Sequence, residues 1–221
     1  MDQKSKSESS QIKSRKRVSD HGEVFTNPRE VNAMLDLVKN ETENIYSRFL
    51  EPACGDGNFL CEILRRKLSV CASKVKSGAY SQLDYEKDAV ISVSSIYGIE
   101  ILQDNVLQCR DRLLELFSTE YKKIYGSKVK PECIDSVKFL LSKNIIWGDA
   151  LSYRLVSDPT QWIIISEWSI LAAGKINRRD YEFSYLVREN SNAMPGLFSD
   201  EPLKAYPPVY FLNLSDAYEK D

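Results

Sequence analysis

The sequence predicts an α/β fold with a doubly wound, mostly parallel sheet, and three features support this prediction. Four short apolar segments, 49–50, 96–99, 144–147 and 162–165, alternate with longer stretches whose apolar residues recur at helical spacing. Strands that alternate with helices along a chain form parallel sheets. A glycine-rich turn follows the first segment, and an acidic residue closely follows each of the first three. Because parallel strands end at a shared carboxyl edge, these acids are predicted to line one rim.

Length and composition are those of an ordinary globular protein. The chain has 221 residues, of which 43% are hydrophobic and 28% charged, with a formal net charge of -2, and this suits one domain with tails. Its five cysteines form no C-x-x-C pair, and it has one histidine. We therefore expect a cytoplasmic protein with free thiols and no metal site. No run of 18 apolar residues exists, so no membrane span is predicted.

The chain is predicted to divide into a basic tail at 1–19, a ligand-binding domain at 20–175 and an irregular extension at 176–221. A short helix is predicted within the extension at 178–190. The tail has almost no apolar residue and is predicted to be disordered alone. Its cationic cluster is either a solvated tail or an arm that contacts DNA phosphates. That cluster comprises Lys13, Arg15, Lys16 and Arg17.

The stretch 48–63, RFLEPACGDGNFLCEI, is predicted to form a buried strand, a tight turn at 54–57 (the glycine turn) and a helix capped by Asn58. Its glycines fit neither G-x-G-x-x-G nor a phosphate-binding P-loop. Glu51 and Asp56 border the glycine turn. Carboxylates there repel a pyrophosphate but suit a ligand with a cationic amine, such as S-adenosylmethionine (SAM). The alternative is an ordinary strand–turn–helix corner that binds nothing.

The other helices are predicted from apolar spacing and from helix-start signals. One begins at Pro28 behind Asn27, which can act as its cap. Others span 82–94 and 104–125, and Pro131 opens the last helix before the third strand. The helices therefore fall between the predicted strands, as the α/β class requires.

Three strands end in acids, Glu51, Glu100 and Asp149, which we call the acidic rim. In nucleotide-binding sheets an acid after the second strand accepts from the ribose hydroxyls, and Glu100 is expected to do so. Asp149 is expected to accept from the adenine amine, and Ile101 to pack on the adenine face. The interval from Gly57 to Glu100 exceeds the roughly 20 residues of a plain βαβ unit, so extra helical residues are inserted there.

Four motifs occur in a fixed order: HGEVFTNP at 21–28, LEPACGDGNFL at 50–60, GIEI at 98–101 and GDAL at 148–151. In this order they resemble the motifs of SAM-dependent DNA adenine-N6 methyltransferases of restriction–modification systems, particularly their modification subunits. They match the segment over the methionine end of SAM, the principal SAM motif, the ribose motif and the adenine motif.

This resemblance implies a Rossmann-like methyltransferase fold, SAM as the cofactor, DNA as the substrate and a specificity or restriction subunit as a partner. It also implies a set of residues around the cofactor. The cofactor-binding residues are expected to be Phe25, Thr26, Glu51, Pro52, Cys54, Gly55, Gly57, Asn58, Phe59, Glu100, Ile101, Asp149 and Ala150.

The chain departs from that family after the fourth predicted strand. Active members carry N/D-P-P-Y/F/W there, which accepts from the target amine and stacks on the flipped base. Here the strand ends in Ser166-Glu167-Trp168-Ser169. Glu167 is the expected acceptor and Trp168 the expected stacking residue, with a capping carboxylate and a core aromatic as the alternative. Because only some 50 residues follow Trp168, the sheet is also expected to be truncated at its C-terminal strands.

The sequence leaves three functions open. Methylation of adenine in DNA, alone or with a partner protein, is the leading hypothesis. A SAM-binding subunit without catalysis, acting through a partner, is the first alternative. A methyltransferase for a protein or a small molecule is the second, and the basic tail disfavours it.

Overall fold

Helices and parallel strands alternate along the chain, which confirms the predicted α/β class. The computed structural model describes Arg17 and the segments 26–189 and 201–218. Most of the predicted basic tail therefore lies outside the described residues. So do Phe25, Lys13, Arg15 and Lys16.

The first sheet contains three parallel strands: β1 (Phe49–Glu51), β2 (Ile96–Glu100) and β3 (Ile145–Asp149). A short strand, β4 (Arg154–Leu155), pairs antiparallel with β3 and completes the order β1-β2-β3-β4. Among the described strands, β1 pairs with β2 alone. The register places Glu51 opposite Gly98 and Glu100 opposite Trp147, so β2 and β3 each extend two residues beyond the end of the strand before them. The first three predicted strands thus form in the predicted order.

The helices begin at residues with a local reason to start them. Asn27 caps the first described helix, since its side chain accepts from the backbone N–H of Arg29, and a capping box of Ser81 and Asp84 starts the fourth. The described helices are α1 (Pro28–Asp36), α2 (Lys39–Thr42), α3 (Asn58–Lys76), α4 (Gln82–Ser94), α5 (Gln103–Tyr125), α6 (Pro131–Asn144), α7 (Phe183–Glu189) and α8 (Leu214–Tyr218).

The parallel sheet is covered differently on its two faces. On one face, a Cβ at Gly98 would lie 2.8 Å from the Cys54 sulfur and 3.0 Å from Leu60 of α3, so the helix packs directly on β2. On the other face, the Tyr97 hydroxyl donates to the carbonyl oxygen of Ser166 at 2.9 Å. The second face is therefore met by the segment that was predicted to be the fourth parallel strand.

That segment forms β5 (Ile164–Ile170), and its predicted place in the parallel sheet is wrong. It belongs to a second sheet with β6 (Lys175–Glu182), β7 (Lys204–Ala205) and β8 (Val209–Tyr210). β5 and β6 form an antiparallel hairpin, closed where Leu171 donates to the carbonyl oxygen of Lys175. Because β5 pairs with β6 along its whole length, its backbone groups form hydrogen bonds there and need no partner in the parallel sheet. Consequently Ser166, Glu167 and Trp168 lie inside a strand and not at its end.

The segment 176–221 was predicted to be irregular, with a helix at 178–190, and both expectations need correction. β6 occupies the first half of the predicted helix and α7 the second. The sequence of β6 does not show the usual alternation of apolar and polar residues, because two charged residues, Arg178 and Asp180, point inward. There the Arg178 guanidinium donates to the Asp180 carboxylate at 2.8 and 2.7 Å. Several apolar residues after α7 join the main core. Those that are fully or nearly buried there are Phe211, Leu214 and Tyr218.

No helix among the residues described is both long and apolar enough to pass through a bilayer.

Lys67, on α3, is a buried cation below the start of β1, with no exposed surface. Its ammonium group donates to the carbonyl oxygens of Ser47 and Ile45 and to the hydroxyl oxygen of Ser95. Removal from water disfavours the charged form and lowers the pKa of Lys67 to about 7. The three accepting oxygens are the polar partners that make this burial tolerable.

The lowered pKa of Lys67 predicts how stability changes with pH. Between about pH 7 and pH 10 the unfolded chain, whose lysines have a pKa of about 10.4, binds a proton that the folded chain lacks. The contribution of Lys67 to the free energy of unfolding should therefore rise with pH in this window, by up to about 1.4 kcal/mol per unit. Urea unfolding of the wild type and of Lys67→Met at pH 7, 8 and 9 measures it.

The difference in unfolding free energy between the two proteins isolates this lysine. It cancels the opposite contribution of buried thiols, whose raised pKa values weaken the fold at high pH in both proteins. We expect the unfolding free energy of the wild type minus that of Lys67→Met to rise with pH. A constant difference would show that Lys67 stays charged in the folded protein.

Candidate functional site

The glycine turn and the acidic rim meet at the carboxyl edge of the parallel sheet. Glu51, Glu100 and Asp149 are the last residues of β1, β2 and β3. The backbone N–H of Gly55 donates to Oε2 of Glu100 at 2.9 Å, and the N–H of Leu102 donates to Oε1 at 2.9 Å. Each carboxylate oxygen of Glu100 therefore keeps a second lone pair for a further donor.

The backbone of the glycine turn has a conformation that residues with a side chain disfavour. Gly55 and Gly57 have φ values of 53° and 92°, in the left-handed region that favours glycine. Gly57 is the N-cap of α3, and Asn58 is its first helical residue. The prediction that Asn58 caps this helix is therefore wrong. Its side chain is used elsewhere, since it accepts from Arg112 and donates to the carbonyl oxygen of Thr26 at 3.2 Å.

Thr26 is accordingly brought to the glycine turn, as expected for the segment that leads into α1. Four other predicted cofactor-binding residues differ in burial. Cys54 is buried and its N–H donates to the carbonyl oxygen of Ile99, whereas Pro52 is exposed. Phe59 and Ala150 are partly buried and pack against the core. These residues support the shape of the rim from beneath it.

Arg112, on α5, is a residue of this site that the sequence did not reveal. Its Nη1 donates to the backbone carbonyl of Asp56 at 2.8 Å and lies 2.7 Å from the Asp56 carboxylate. Its Nη2 donates to the side-chain oxygen of Asn58 at 2.9 Å. The carboxylate of Asp56 is thus turned to Arg112, and its second oxygen is buried without a hydrogen-bond partner. No spacing rule links positions so far apart in sequence.

The three rim acids have different electrostatic surroundings. Burial raises the pKa of Glu51, and a hydrogen bond from the Ala53 N–H partly opposes this. Hydrogen bonds from the Ser152 hydroxyl and then from the Leu151 N–H lower the pKa of Asp149. Asp149 is therefore a charged acceptor at neutral pH, whereas Glu51 takes up a proton more readily than an exposed glutamate.

Large apolar side chains stand exposed along the same edge. Leu50 and Ile101 are each 45% exposed, and Leu151 is 91% exposed. The indole N–H of Trp147 donates to the carbonyl oxygen of Ile101 at 2.9 Å, which fixes the backbone after β2. Exposed apolar side chains beside hydrogen-bond acceptors are the chemistry that a flat heterocycle with an exocyclic amine requires.

Glu167 and Trp168, the expected catalytic pair, lie at the opposite edge of the sheet. The start of β5 is near the carboxyl edge, where Ile163 packs at Gly148. Its later part reaches the amino edge, where the Trp168 indole donates to Asn144 at 2.8 Å and Glu167 pairs with Arg48 at 3.0 Å. Trp168 is 4% exposed and packs as a core aromatic. The structure does not bring this pair to the acidic rim.

A cleft of about 430 Å³ opens at this amino edge, beside Trp168 and Arg48. Two of the three serine hydroxyls that line it are already used, since Ser94 donates to the Ile91 carbonyl and Ser95 to the Ser92 carbonyl. Arg48 is engaged by Glu167. The cleft therefore offers no defined set of groups for a particular ligand.

Arg17 is the described member of the cationic cluster, and it lies next to the rim. Its guanidinium pairs with the carboxylate of Asp104, with Nη1–Oδ2 and Nη2–Oδ1 distances of 2.7 and 3.2 Å. Asp104 is in the first turn of α5, four residues after Glu100. The cation therefore lies on the side of the sheet where the glycine turn is found.

The five cysteines are free and buried. Burial raises the pKa of Cys61 to about 12 and that of Cys71 to about 11. A hydrogen bond with the Cys54 thiol, followed by burial, raises the pKa of Cys109. The Cys61, Cys71 and Cys109 thiols therefore stay protonated at neutral pH and are poor nucleophiles. Across segments 26–189 and 201–218, no three His, Cys, Asp or Glu side chains are grouped to hold a metal ion.

Comparisons with protein-family models, with curated proteins and with solved structures found no match for this chain. The acidic rim and the sequence motifs that form it are therefore the features of this chain that bear on its function.

The packing of Cys109 against Gly57 predicts a steric coupling. A Cβ at Gly57 would lie 2.6 Å from the Cys109 sulfur, whereas a Cβ at Gly78, also at positive φ, meets nothing within 4 Å. Gly78→Ala should cost only backbone strain, about 1–3 kcal/mol. Gly57→Ala should cost about 1–3 kcal/mol more because it also overpacks the core. Urea unfolding measures both.

The double variant Gly57→Ala/Cys109→Ala tests the cause of that extra cost. Without the sulfur the new methyl group has room, so the two changes should cost less together than the sum of their separate costs. Simple additivity, or equal destabilisation by Gly57→Ala and Gly78→Ala, would contradict the steric explanation.

Proposed function

We propose that this chain binds SAM at the acidic rim and is the cofactor-binding part of a DNA adenine-N6 methyltransferase, as in the modification subunit of a restriction–modification system. One observation carries the proposal: the Gly55 N–H and the Glu100 carboxylate are joined at 2.9 Å at the carboxyl edge of parallel strands. Ligands of open α/β sheets bind at this edge. The four motifs resemble those of this methyltransferase family in the same order.

The residues of the rim suit the parts of SAM. Glu100 has lone pairs left for the ribose hydroxyls after its two backbone hydrogen bonds. Ile101 offers an exposed apolar surface for the adenine ring, and Asp149 a charged acceptor for its amine. Thr26 lies beside the glycine turn, where the amino-acid tail is expected. When bound, SAM supplies an electrophilic methyl group.

Methyl transfer to adenine requires more than a cofactor site. The lone pair of the exocyclic nitrogen is delocalised into the ring, so acceptors must bind its hydrogens, and the base must leave the stack. Glu167 and Trp168 lie at the other edge, 8% and 4% exposed. We therefore infer that other residues or a partner protein supply the acceptors. The cationic cluster, in which Arg17 lies next to the rim, is the proposed contact with DNA phosphates.

A second candidate function is favoured by the same burial of Glu167 and Trp168. In this reading the chain binds SAM but performs no transfer, and acts through a partner protein. The two candidates share the cofactor site and differ only in whether methyl groups reach DNA.

SAM binding is tested by two substitutions with matched controls. Ile101→Ala removes an exposed side chain, so it should weaken SAM binding about three- to tenfold with little effect on stability. Glu100→Gln should weaken it about tenfold or more, because an acceptor for the ribose is lost. The controls are Leu83→Ala, exposed on α4, and Glu115→Gln, exposed on α5. Isothermal titration calorimetry and thermal unfolding measure the two effects.

The proposal requires that the controls bind SAM as the wild type does. If the wild type shows no affinity for SAM, or if all four variants lose affinity equally, the acidic rim is not a SAM site.

Methyl transfer is tested with methyl-tritiated SAM and DNA, with and without an extract that supplies a partner. We expect label in DNA with the wild type, and the same amount with Glu167→Gln and Trp168→Phe after correction for their stability, because these residues lie far from the rim. Glu100→Gln should lower incorporation at SAM concentrations below saturation.

Two other results would change the conclusion. SAM binding with no label in DNA under either condition would select the silent SAM-binding subunit. Loss of label in Glu167→Gln alone, with stability and SAM affinity intact, would assign Glu167 to catalysis and contradict its structural position.

A further inference from the structure

The glycine turn has one backbone hydrogen bond of its own, from the Gly57 N–H to the Cys54 carbonyl oxygen at 2.9 Å, but little support from neighbouring side chains in the sequence. Gly57, the N-cap of α3, offers no side chain to the first N–H groups of the helix, and the first turn of α3 carries no acid. Two left-handed glycines add conformational freedom that an ordered site must remove. The support must therefore come from elsewhere in the chain.

Besides Glu100, which accepts from the Gly55 N–H, one side chain of α5 supplies that support. Arg112 reaches the Asp56 carbonyl, the Asp56 carboxylate and the Asn58 side chain at 2.8, 2.7 and 2.9 Å. The planar guanidinium has a fixed fork of donors, so it holds three acceptors in one arrangement. A lysine ammonium on a flexible stem is a poorer match for the same set.

The contact also extends to the segment before α1. Because Arg112 bonds the Asn58 oxygen, the Asn58 amide nitrogen faces the other way and donates to the Thr26 carbonyl at 3.2 Å. The orientation of one amide thus links α5, the glycine turn and Thr26. Cys109, one turn earlier on α5, packs against Gly57 and closes the gap beneath the turn.

We propose that Arg112 is a positioning residue that holds the glycine turn, and through Asn58 the Thr26 segment, in the arrangement that binds SAM. The inference deepens the proposed function and rests on it. Arg112 need not touch the ligand. Its effect is to order the turn before binding, so that the ligand does not bear that cost.

The experiment compares Arg112→Gln and Arg112→Lys with Lys122→Gln, an exposed cation on the same helix. Hydrogen exchange of backbone amides at 54–60, measured without ligand, reports the order of the glycine turn. We expect exchange there about tenfold faster in Arg112→Gln, intermediate in Arg112→Lys and unchanged in Lys122→Gln, with exchange in α6 unchanged in all three.

Calorimetry with SAM supplies the second readout. Affinity should fall about tenfold in Arg112→Gln, less in Arg112→Lys and not at all in Lys122→Gln. Unchanged exchange at 54–60 in Arg112→Gln, or faster exchange throughout the protein, would overturn the positioning role. If the wild type fails to bind SAM while turn exchange still responds to Arg112, the positioning role stands and the proposed function fails.

Discussion

The carboxylate of Glu100 is the interaction on which the rest of the site depends. One oxygen accepts from Gly55 in the glycine turn and the other from Leu102 at the entrance to α5. It is 7% exposed, where a charged group is stable only with hydrogen-bond donors around it. Two backbone N–H groups meet that need and at the same time fix the distance between the ends of β1 and β2. The same two hydrogen bonds therefore stabilise the buried charge of Glu100 and set the geometry of the site.

The second constraint is the direction of β5. By pairing with β6 and crossing one face of the parallel sheet, β5 carries its polar and aromatic residues away from the carboxyl edge. Trp168 then completes a cluster with Phe139 and Tyr218, and Glu167 neutralises Arg48. These contacts give both residues a structural role, Trp168 in the core and Glu167 at the amino edge. A catalytic pair would need freedom to meet a substrate, and neither residue has it.

The predictable part of this protein is local. Apolar spacing and start signals such as Asn27 and Pro131 located the helices, and short apolar segments followed by acids located β1, β2 and β3. What failed depends on distant contacts. The hairpin of β5 and β6 is stabilised by pairing between strands, and the inward pair Arg178–Asp180 hid the alternation of β6. Arg112 could not be found because nothing in its neighbourhood in sequence indicates the glycine turn. The N-cap at Gly57 was missed because Asn58 is as good a cap by residue type, and only its contacts with Arg112 and Thr26 decide otherwise.

The buried cysteines can report local opening of the protein. Cys54 and Cys109 lie under the glycine turn, whereas Cys71 and Cys133 lie in the helical layer. An alkylating reagent reaches each of them only when its surroundings open, because all four side chains are buried in the folded state. The rates at which these four side chains are modified therefore separate fluctuations of the ligand-binding corner from unfolding of the whole molecule, without any label added to the chain.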